Sequence, residues 1–273
     1  MKIGIMSDSL RLPLYESLEK SRALGADGVQ IYAVSGEMAP EQMTDRKIEA
    51  LKKALSDNGL QVSALCGDMG GGFVDRAANP EKILRSKRII DLALALGSRV
   101  VTTHIGVVPE DVHSDTYQTL QEACNELAAY AGARHAFFAV ETGPEPAARL
   151  RSFLDSLDSR GVAVNLDPAN LVMVNGDDPV GAVRILAPYI VHTHAKDGVI
   201  YRRIDAEAFY TGKIGSEGYF EEVPLGKGGV DFPVYLSALK DACYDGYLTI
   251  EREVGADPAA DIREAVQFLK ALI

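Results

Sequence analysis

The sequence has 273 residues, and its 39 acidic residues outnumber the 28 basic ones to give a formal net charge of −11. This charge disfavours nucleic acid and anionic membranes as partners, and no apolar run reaches the ~18 residues of a membrane span. The length suits one large domain or two smaller ones. The three cysteines are far apart and lack metal-knuckle spacing, which is typical of reduced thiols in a cytoplasmic protein.

Short apolar segments recur along the chain and predict β-strands. The predicted strands are Lys2–Ser7, Gly28–Tyr32, Gln61–Cys66, Arg99–His104, Ala136–Glu141, Val162–Asp167, Ile190–Lys196 and Tyr247–Glu251. Near-continuous apolar runs, such as residues 136–140, suit parallel strands that are buried on both faces.

Helical patterns separate these strands. The second of them places Ile48, Leu51 and Leu55 on one face and stops at Asn58-Gly59. The strand–helix alternation lacks repeated hairpin signals, which favours an α/β fold, a (β/α)8 TIM barrel that forms a single domain over residues 1–273. An open doubly wound sheet is the alternative, but no glycine-rich phosphate turn follows the first strand.

The longest irregular segment follows the seventh strand, at about residues 197–229. Loops of this length inside a compact domain tend to be functional. This one carries Arg202 and Arg203. The two side chains either face solvent or extend over the site, where Arg202 would hold a substrate hydroxyl or phosphate.

Polar residues that resist burial stand near the C-terminal ends of several predicted strands. They are His104, Glu141, Asp167, His192, His194, Lys196 and Glu251. This end of a barrel is where enzymes build their active sites. Because side chains alternate along a strand, His192, His194 and Lys196 share one face. His192 is interpreted either as a substrate contact or as a hydrogen-bonded histidine of the barrel interior.

Three of these carboxylates, Glu141, Asp167 and Glu251, would repel one another if they converged, and each would lose its hydration. A divalent cation removes both penalties. Together with His194 they offer three oxygen ligands and one nitrogen ligand, a set that favours Mn²⁺, with Mg²⁺ or Co²⁺ as alternatives. Zn²⁺ fits less well, because the set has no cysteine and an excess of carboxylates.

Five motifs follow one another at successive strand ends. They are Val140-Glu141-Thr142-Gly143, Asn165-Leu166-Asp167-Pro168-Ala169-Asn170, His192-Thr193-His194-Ala195-Lys196-Asp197, Val223-Pro224-Leu225-Gly226-Lys227-Gly228 and Ile250-Glu251-Arg252-Glu253. In this order they resemble the sugar phosphate isomerase/epimerase group of the xylose-isomerase-like TIM barrels. The resemblance covers essentially the whole chain.

The resemblance implies that Glu141, Asp167, His194 and Glu251 are metal ligands. It also implies that Glu141 and Glu251 exchange a proton on opposite faces of a substrate carbon, as in the group's ketose 3-epimerases. His104 matches a histidine that lies near the substrate in this group. A sugar or keto-sugar substrate and a homo-oligomeric assembly are implied as well, although the sequence indicates no interface.

One position departs from the epimerase pattern. The epimerases carry Asp-x-x-His after the sixth strand, with the histidine on a substrate oxygen, and this chain has Asn170 there. Asparagine can hydrogen-bond the substrate but cannot shuttle a proton, which argues against simple ketohexose epimerisation. The run His194-Ala195-Lys196-Asp197 resembles the His-x-Lys-Asp motif of the family's inosose dehydratases, so lyase activity remains an alternative.

The sequence therefore predicts a metal-dependent sugar isomerase or epimerase that moves a proton next to a carbonyl. Glu141 or Glu251 would remove the proton and the other would return it, while Lys196 and His104 would orient hydroxyls or donate to the developing oxyanion. The alternatives are a lyase with the same site, an endonuclease of the AP endonuclease IV type, and a non-catalytic sugar-binding protein. The charge and the five histidines disfavour the endonuclease.

Overall fold

A closed barrel of parallel strands dominates the computed structural model, which describes residues 1–273. The strands are β1 (Lys2–Met6), β2 (Gly28–Tyr32), β3 (Gln61–Cys66), β4 (Val100–Thr103), β5 (Phe137–Glu141), β6 (Val162–Leu166), β7 (Ile190–Ala195), β8 (Asp197–Ile200), β9 (Phe220–Val223) and β10 (Tyr247–Ile250). The barrel order is β1-β10-β7-β6-β5-β4-β3-β2. The predicted single-domain TIM barrel is confirmed, and each predicted barrel strand ends within one residue of its observed bounds.

Helices connect the barrel strands. They are α1 (Leu14–Leu24), α2 (Asp45–Asp57), α3 (Asn79–Ala95), α4 (Asp115–Gly132), α5 (Ala147–Asp155), α6 (Pro168–Asn170), α7 (Pro179–Leu186), α8 (Ala206–Tyr210), α9 (Phe232–Asp241) and α10 (Pro258–Lys270), with 3₁₀ turns at Ser7–Leu10 and Gly36–Met38 and a π-turn at Leu171–Asn175. Gly59 follows α2 with a φ of +62°, a conformation that glycine adopts without steric penalty. None of the helices combines the length and apolarity that crossing a membrane requires.

The barrel interior is partly polar and internally hydrogen-bonded. Gln30 Nε2 donates to Thr102 Oγ1 over 3.0 Å. The ring of His192 bridges Asn165 Oδ1 at 2.8 Å and Thr249 Oγ1 at 3.0 Å. Because buried polar groups need partners, this network holds the inward side chains of the strands in fixed positions below the C-terminal end of the barrel.

The segment after β7 is more regular than its sequence indicates. β8 pairs antiparallel with β9, and α8 lies between them. The prediction of an irregular loop over 197–229 is therefore corrected to a β-hairpin that carries a short helix. The buried carboxylate of Asp197 closes its base, because it accepts hydrogen bonds from the backbone N–H groups of Gly198, Gly226, Gly228 and Val230 at 2.9–3.1 Å.

Candidate active site

The four predicted metal ligands meet at the C-terminal end of the barrel. Glu141 is the last residue of β5 and His194 lies in β7, while Asp167 and Glu251 directly follow β6 and β10. All four are buried, and their candidate ligand atoms lie within 4.8 Å of one another. Parallel strands that end at one face bring these side chains together.

The imidazole of His194 faces the three carboxylates through one ring nitrogen. Its Nδ1 lies 3.3 Å from Asp167 Oδ2, 3.4 Å from Glu251 Oε2 and 3.6 Å from Glu141 Oε1. Its Nε2 lies 3.2 Å from Gln30 Oε1, an acceptor, and 3.2 Å from Asn165 Nδ2, a donor. In the neutral tautomer that carries its proton on Nε2, the ring donates to Gln30 Oε1 and aims the lone pair of Nδ1 at the carboxylates.

These donor atoms fit a divalent cation. A lone pair and three carboxylates that converge in a buried site repel one another unless a positive charge lies among them. Burial lowers the pKa of His194, but Glu251 and Glu141 outweigh it and raise that pKa well above its usual value, so the cluster attracts a proton or a metal ion. The 3.3–3.6 Å separations approach the roughly 3 Å between neighbouring ligands of an octahedral ion with bonds of about 2.1 Å.

Hydrogen bonds hold two of the carboxylates in place. Asp167 Oδ1 accepts from the backbone N–H of Asn170 at 2.9 Å and caps α6, which leaves Oδ2 facing His194. Glu141 Oε1 accepts from Asn170 Nδ2 at 2.9 Å, and its Oε2 accepts from Asn165 Nδ2 at 3.0 Å. Asn170 therefore orients two of the predicted ligands.

Lys196 forms a buried ion pair with Glu251. Its Nζ donates to Glu251 Oε2 at 2.9 Å and to Glu253 Oε2 at 2.6 Å. Burial lowers the pKa of Lys196, but these two carboxylates outweigh it and raise that pKa well above its usual value. Burial has the opposite effect on a carboxylate and raises the pKa of Glu251, but Lys196 and His194 outweigh it and hold that pKa well below its usual range. Glu251 is thus ionised and can accept a proton.

His104 pairs with Asp68, which lies just beyond β3. Its Nδ1 donates to Asp68 Oδ2 over 2.8 Å, because an ionised carboxylate can only accept. Its Nε2 is buried without a hydrogen-bond partner and lies 3.7 Å from Glu141 Oε1. Burial lowers the pKa of His104, but Glu141 and Asp68 outweigh it and raise that pKa to about 9. The ring lines the cavity, and Nε2 is its one nitrogen without a hydrogen-bond partner.

A cavity of about 850 Å³ adjoins the cluster. Five predicted site residues line it, namely His104, Glu141, Asn170, Lys196 and Glu251. Asp167 and His194 are fully buried and do not reach its wall. Two of the four candidate ligands are therefore also exposed to whatever occupies the cavity.

Two predicted substrate contacts lie outside the cavity. His192 is 1% exposed, and both of its ring nitrogens have partners in the barrel interior. It shares a face with His194 but lies two residues earlier in β7, which places it about 6.6 Å deeper. Arg202 is exposed on the hairpin, where it lies over the ring of Tyr219 and donates to Gly218 O. The geometry supports a substrate role for neither residue.

Three residues at the site escaped the sequence analysis. Gln30 and Asp68 orient His194 and His104, respectively. Asp68 has the same signal as the predicted residues, because it follows an apolar strand. Tyr210 enters from the hairpin and lines the cavity, with its ring centroid 5.2 Å from that of His104, and nothing in the local sequence pattern indicates this.

Comparisons with known proteins agree with this architecture. Residues 18–272 match the family model described as "Xylose isomerase-like TIM barrel". The chain belongs to this family. Because the match spans nearly the whole chain, the resemblance noted from the sequence motifs is confirmed at the level of the family.

Among its relatives is L-ribulose-5-phosphate 3-epimerase UlaE of Escherichia coli K12, which is 23% identical over 94% of this chain and 88% of its own length. A xylose isomerase domain protein from Planctomyces limnophilus superposes with a TM-score of 0.81, at 26% identity over 99% of this chain and 96% of that one. A D-psicose 3-epimerase superposes with a TM-score of 0.75, at 19% identity over 100% and 99% of the two chains. The last similarity shows the shared fold.

Proposed function

We propose that the protein is a divalent-metal-dependent isomerase or epimerase that moves a proton on a sugar carbon next to a carbonyl. The observation that carries this proposal is the dual position of Glu141 and Glu251. Both belong to the ligand cluster, and both line the cavity. The named activities of the epimerase relatives agree with this chemistry.

Glu141, Asp167, His194 and Glu251 would hold the ion, and we expect Mn²⁺, with Mg²⁺, Co²⁺ and Zn²⁺ as alternatives. When bound, the ion supplies Lewis-acid polarisation of the substrate carbonyl and so acidifies the neighbouring C–H bond. Asp167 and His194 would contribute binding alone, because neither reaches the cavity wall.

We assign removal of the proton to Glu251, whose carboxylate stands beside the ammonium of Lys196. The ammonium of Lys196 keeps it ionised despite its burial, and it lines the cavity. Glu141, oriented by the amides of Asn165 and Asn170, would return a proton to the same or the neighbouring carbon.

His104, Lys196 and Asn170 would orient the substrate. His104 presents its free Nε2 and Lys196 its ammonium, and both can donate to a hydroxyl or to the developing oxyanion. The side-chain amide of Asn170 donates to Glu141, so its main proposed role is to orient that carboxylate.

A lyase is the second candidate, and one observation favours it. The charged Nζ of Lys196 lies 2.9 Å from Glu251 Oε2, so a proton donor stands beside the proposed base. If the substrate carries a hydroxyl β to the removed proton, Lys196 would hydrogen-bond to that hydroxyl, and the proton taken by Glu251 would leave with it as water. Mass spectrometry of the product separates the two, since isomerisation conserves mass.

Replacement of Glu251 tests the proposed function. Glu251→Gln keeps the size of the side chain but removes its basicity, and we expect proton exchange to fall by about 10²-fold or more. The measurement is deuterium incorporation next to the carbonyl of ketoses in D₂O with Mn²⁺, followed by NMR.

Glu264→Gln makes the same chemical change on the exposed face of α10 and serves as the matched control. Unchanged exchange in Glu251→Gln, with the control equal to the wild-type protein, would remove Glu251 from the mechanism.

A further inference from the structure

The basic side chains that line the cavity are few, and each already has an acidic partner. They are His104, Arg149 and Lys196. Asp68 accepts from His104, and Glu251 and Glu253 accept from Lys196. A phosphate group in the cavity would share each of these side chains with a carboxylate that already neutralises its charge.

Arg149 is also neutralised by contacts within the protein. Its Nη2 pairs with Glu110, and its Nη1 donates to Val108 O at 3.4 Å. The buried carboxyl of Glu145 lies close enough to Arg149 for the guanidinium to influence its pKa. The guanidinium therefore serves contacts within the protein.

The charge of the cavity wall is negative. Six carboxylates line it, namely those of Asp68, Glu110, Glu141, Glu207, Glu251 and Glu253. Lys196, Arg149 and His104, whose pKa of about 9 keeps it protonated near neutral pH, contribute three positive charges, and a divalent ion would add two more. With Asp167, which would also bind that ion, seven negative charges face five positive ones, an excess that opposes a phosphate dianion and leaves an uncharged polyol unaffected.

Two local features of a kind that binds anions in other proteins, a helix N-terminus and a glycine-rich loop, already make contacts within this protein. The N-terminus of α4 borders the cavity, but the Oγ of Ser114 caps it by accepting from Tyr117 N, and Asp115 adds a negative charge to its first turn. In the glycine-rich loop at residues 70–72, Lys82 Nζ donates to the carbonyl oxygens of Gly70 and Gly72. The cap and the acidic first turn weaken the attraction of α4 for an anion, and in the loop the N–H of Gly70 already donates to Asp68 Oδ1.

We infer that the substrate is an uncharged sugar or keto-sugar and not a sugar phosphate, an inference that rests on the proposed function. In this respect the chain differs from its relative named for L-ribulose 5-phosphate. Hydroxyl groups can use the carboxylates as acceptors and the paired ammonium, imidazole and guanidinium as donors without breaking any ion pair.

The test compares matched pairs of substrates on the Mn²⁺-loaded wild-type protein. Each pair holds a free ketose and its phosphate ester, with D-fructose and D-fructose 6-phosphate, and L-ribulose and L-ribulose 5-phosphate, as the first two pairs. Deuterium incorporation next to the carbonyl reports proton transfer, and calorimetry reports binding of the same compounds. We expect the free sugar of at least one pair to exchange with a kcat/KM at least about tenfold above that of its ester.

The outcomes separate the two proposals. Faster exchange of the phosphate esters would overturn the inference and leave the proposed function standing. If no compound exchanges, the proposed function fails and binding decides the inference. Tighter binding of the free sugars would then support an uncharged ligand, whereas tighter binding of the esters, or binding of neither, would overturn it.

Discussion

Glu145 and Glu251 are both buried carboxylates, but their neighbours drive their pKa values in opposite directions. Burial raises the pKa of each. At Glu251 the ammonium of Lys196 reverses this effect. At Glu145 a hydrogen bond from Val108 N and the charge of Arg149 offset it only in part, and the pKa rises to about 7. Its Oε1 has no hydrogen-bond partner, so Glu145 makes folding dependent on pH.

Glu145→Gln is predicted to remove this pH dependence. Between about pH 4.5 and 7 the folded chain binds a proton at Glu145 that the unfolded chain has released, so the stability of the wild-type protein falls as pH rises through this window. Glutamine stays neutral at every pH. The variant should gain stability relative to the wild-type protein at about pH 8, by at most about 3 kcal/mol.

Urea unfolding followed by circular dichroism at about pH 5 and pH 8 measures this effect, with Glu264→Gln as the control. If the free energy of unfolding falls equally in Glu145→Gln and in the wild-type protein between the two pH values, the pKa of Glu145 is not raised in the folded protein.

The hairpin formed by β8, α8 and β9 is the element that completes the cavity. It carries Phe209, Tyr210 and Phe220 to the cavity wall. Phe209 packs edge-on against both of the other rings, at centroid distances of 5.2 Å. The carboxylate of Asp197 fixes the base of this element through four backbone N–H groups.

Asp197→Asn is predicted to loosen the hairpin. In the wild-type protein each carboxylate oxygen of Asp197 accepts from backbone N–H groups. The variant replaces one of these oxygens by an NH₂ group, which cannot accept, so at least two hydrogen bonds are lost. We expect the free energy that holds the hairpin in place to fall by about 2–4 kcal/mol. Hydrogen exchange over residues 197–229 should accelerate while the barrel strands stay protected. Asp205→Asn is the control, because asparagine caps a helix as well as aspartate does. Equal exchange in the two variants would show that Asp197 does not hold the element.

Strand periodicity predicts which residues reach the C-terminal end of the barrel. It does not predict how deep a side chain lies inside the barrel or which course a loop takes. It placed Glu141, Asp167, His194 and Glu251 correctly, because strand ends and side-chain alternation follow from local sequence. It could not separate His194 from His192, which share a face but lie two residues apart in β7, so that His192 is deeper in the barrel. The hairpin was missed because its four-residue strands are short and carry charged residues, and their pairing depends on the distant contacts of Asp197.

At the scale of the whole molecule, the acidic excess of the chain is concentrated in part at one end of the barrel. Glu141, Asp167 and Glu251 place three carboxylates within one buried cluster. Their mutual repulsion opposes folding, and a divalent ion would offset it. The same ion is required for the proposed chemistry, so metal binding links the stability of the fold to its function.

Metal binding is the most direct test of the proposed function, because it needs no knowledge of the substrate. We expect one Mn²⁺ per chain by calorimetry and, at a hundredfold excess over Kd, a rise in Tm of roughly 5–10 °C that a chelator reverses. Asp167→Asn retains an oxygen for the cap of α6 but removes a ligand charge, and it should abolish most of this rise. Asp178→Asn, the same change at the cap of α7, should bind as the wild-type protein does. A wild-type protein that binds no ion, or Asp167→Asn that binds it equally well, would contradict the proposed metal site.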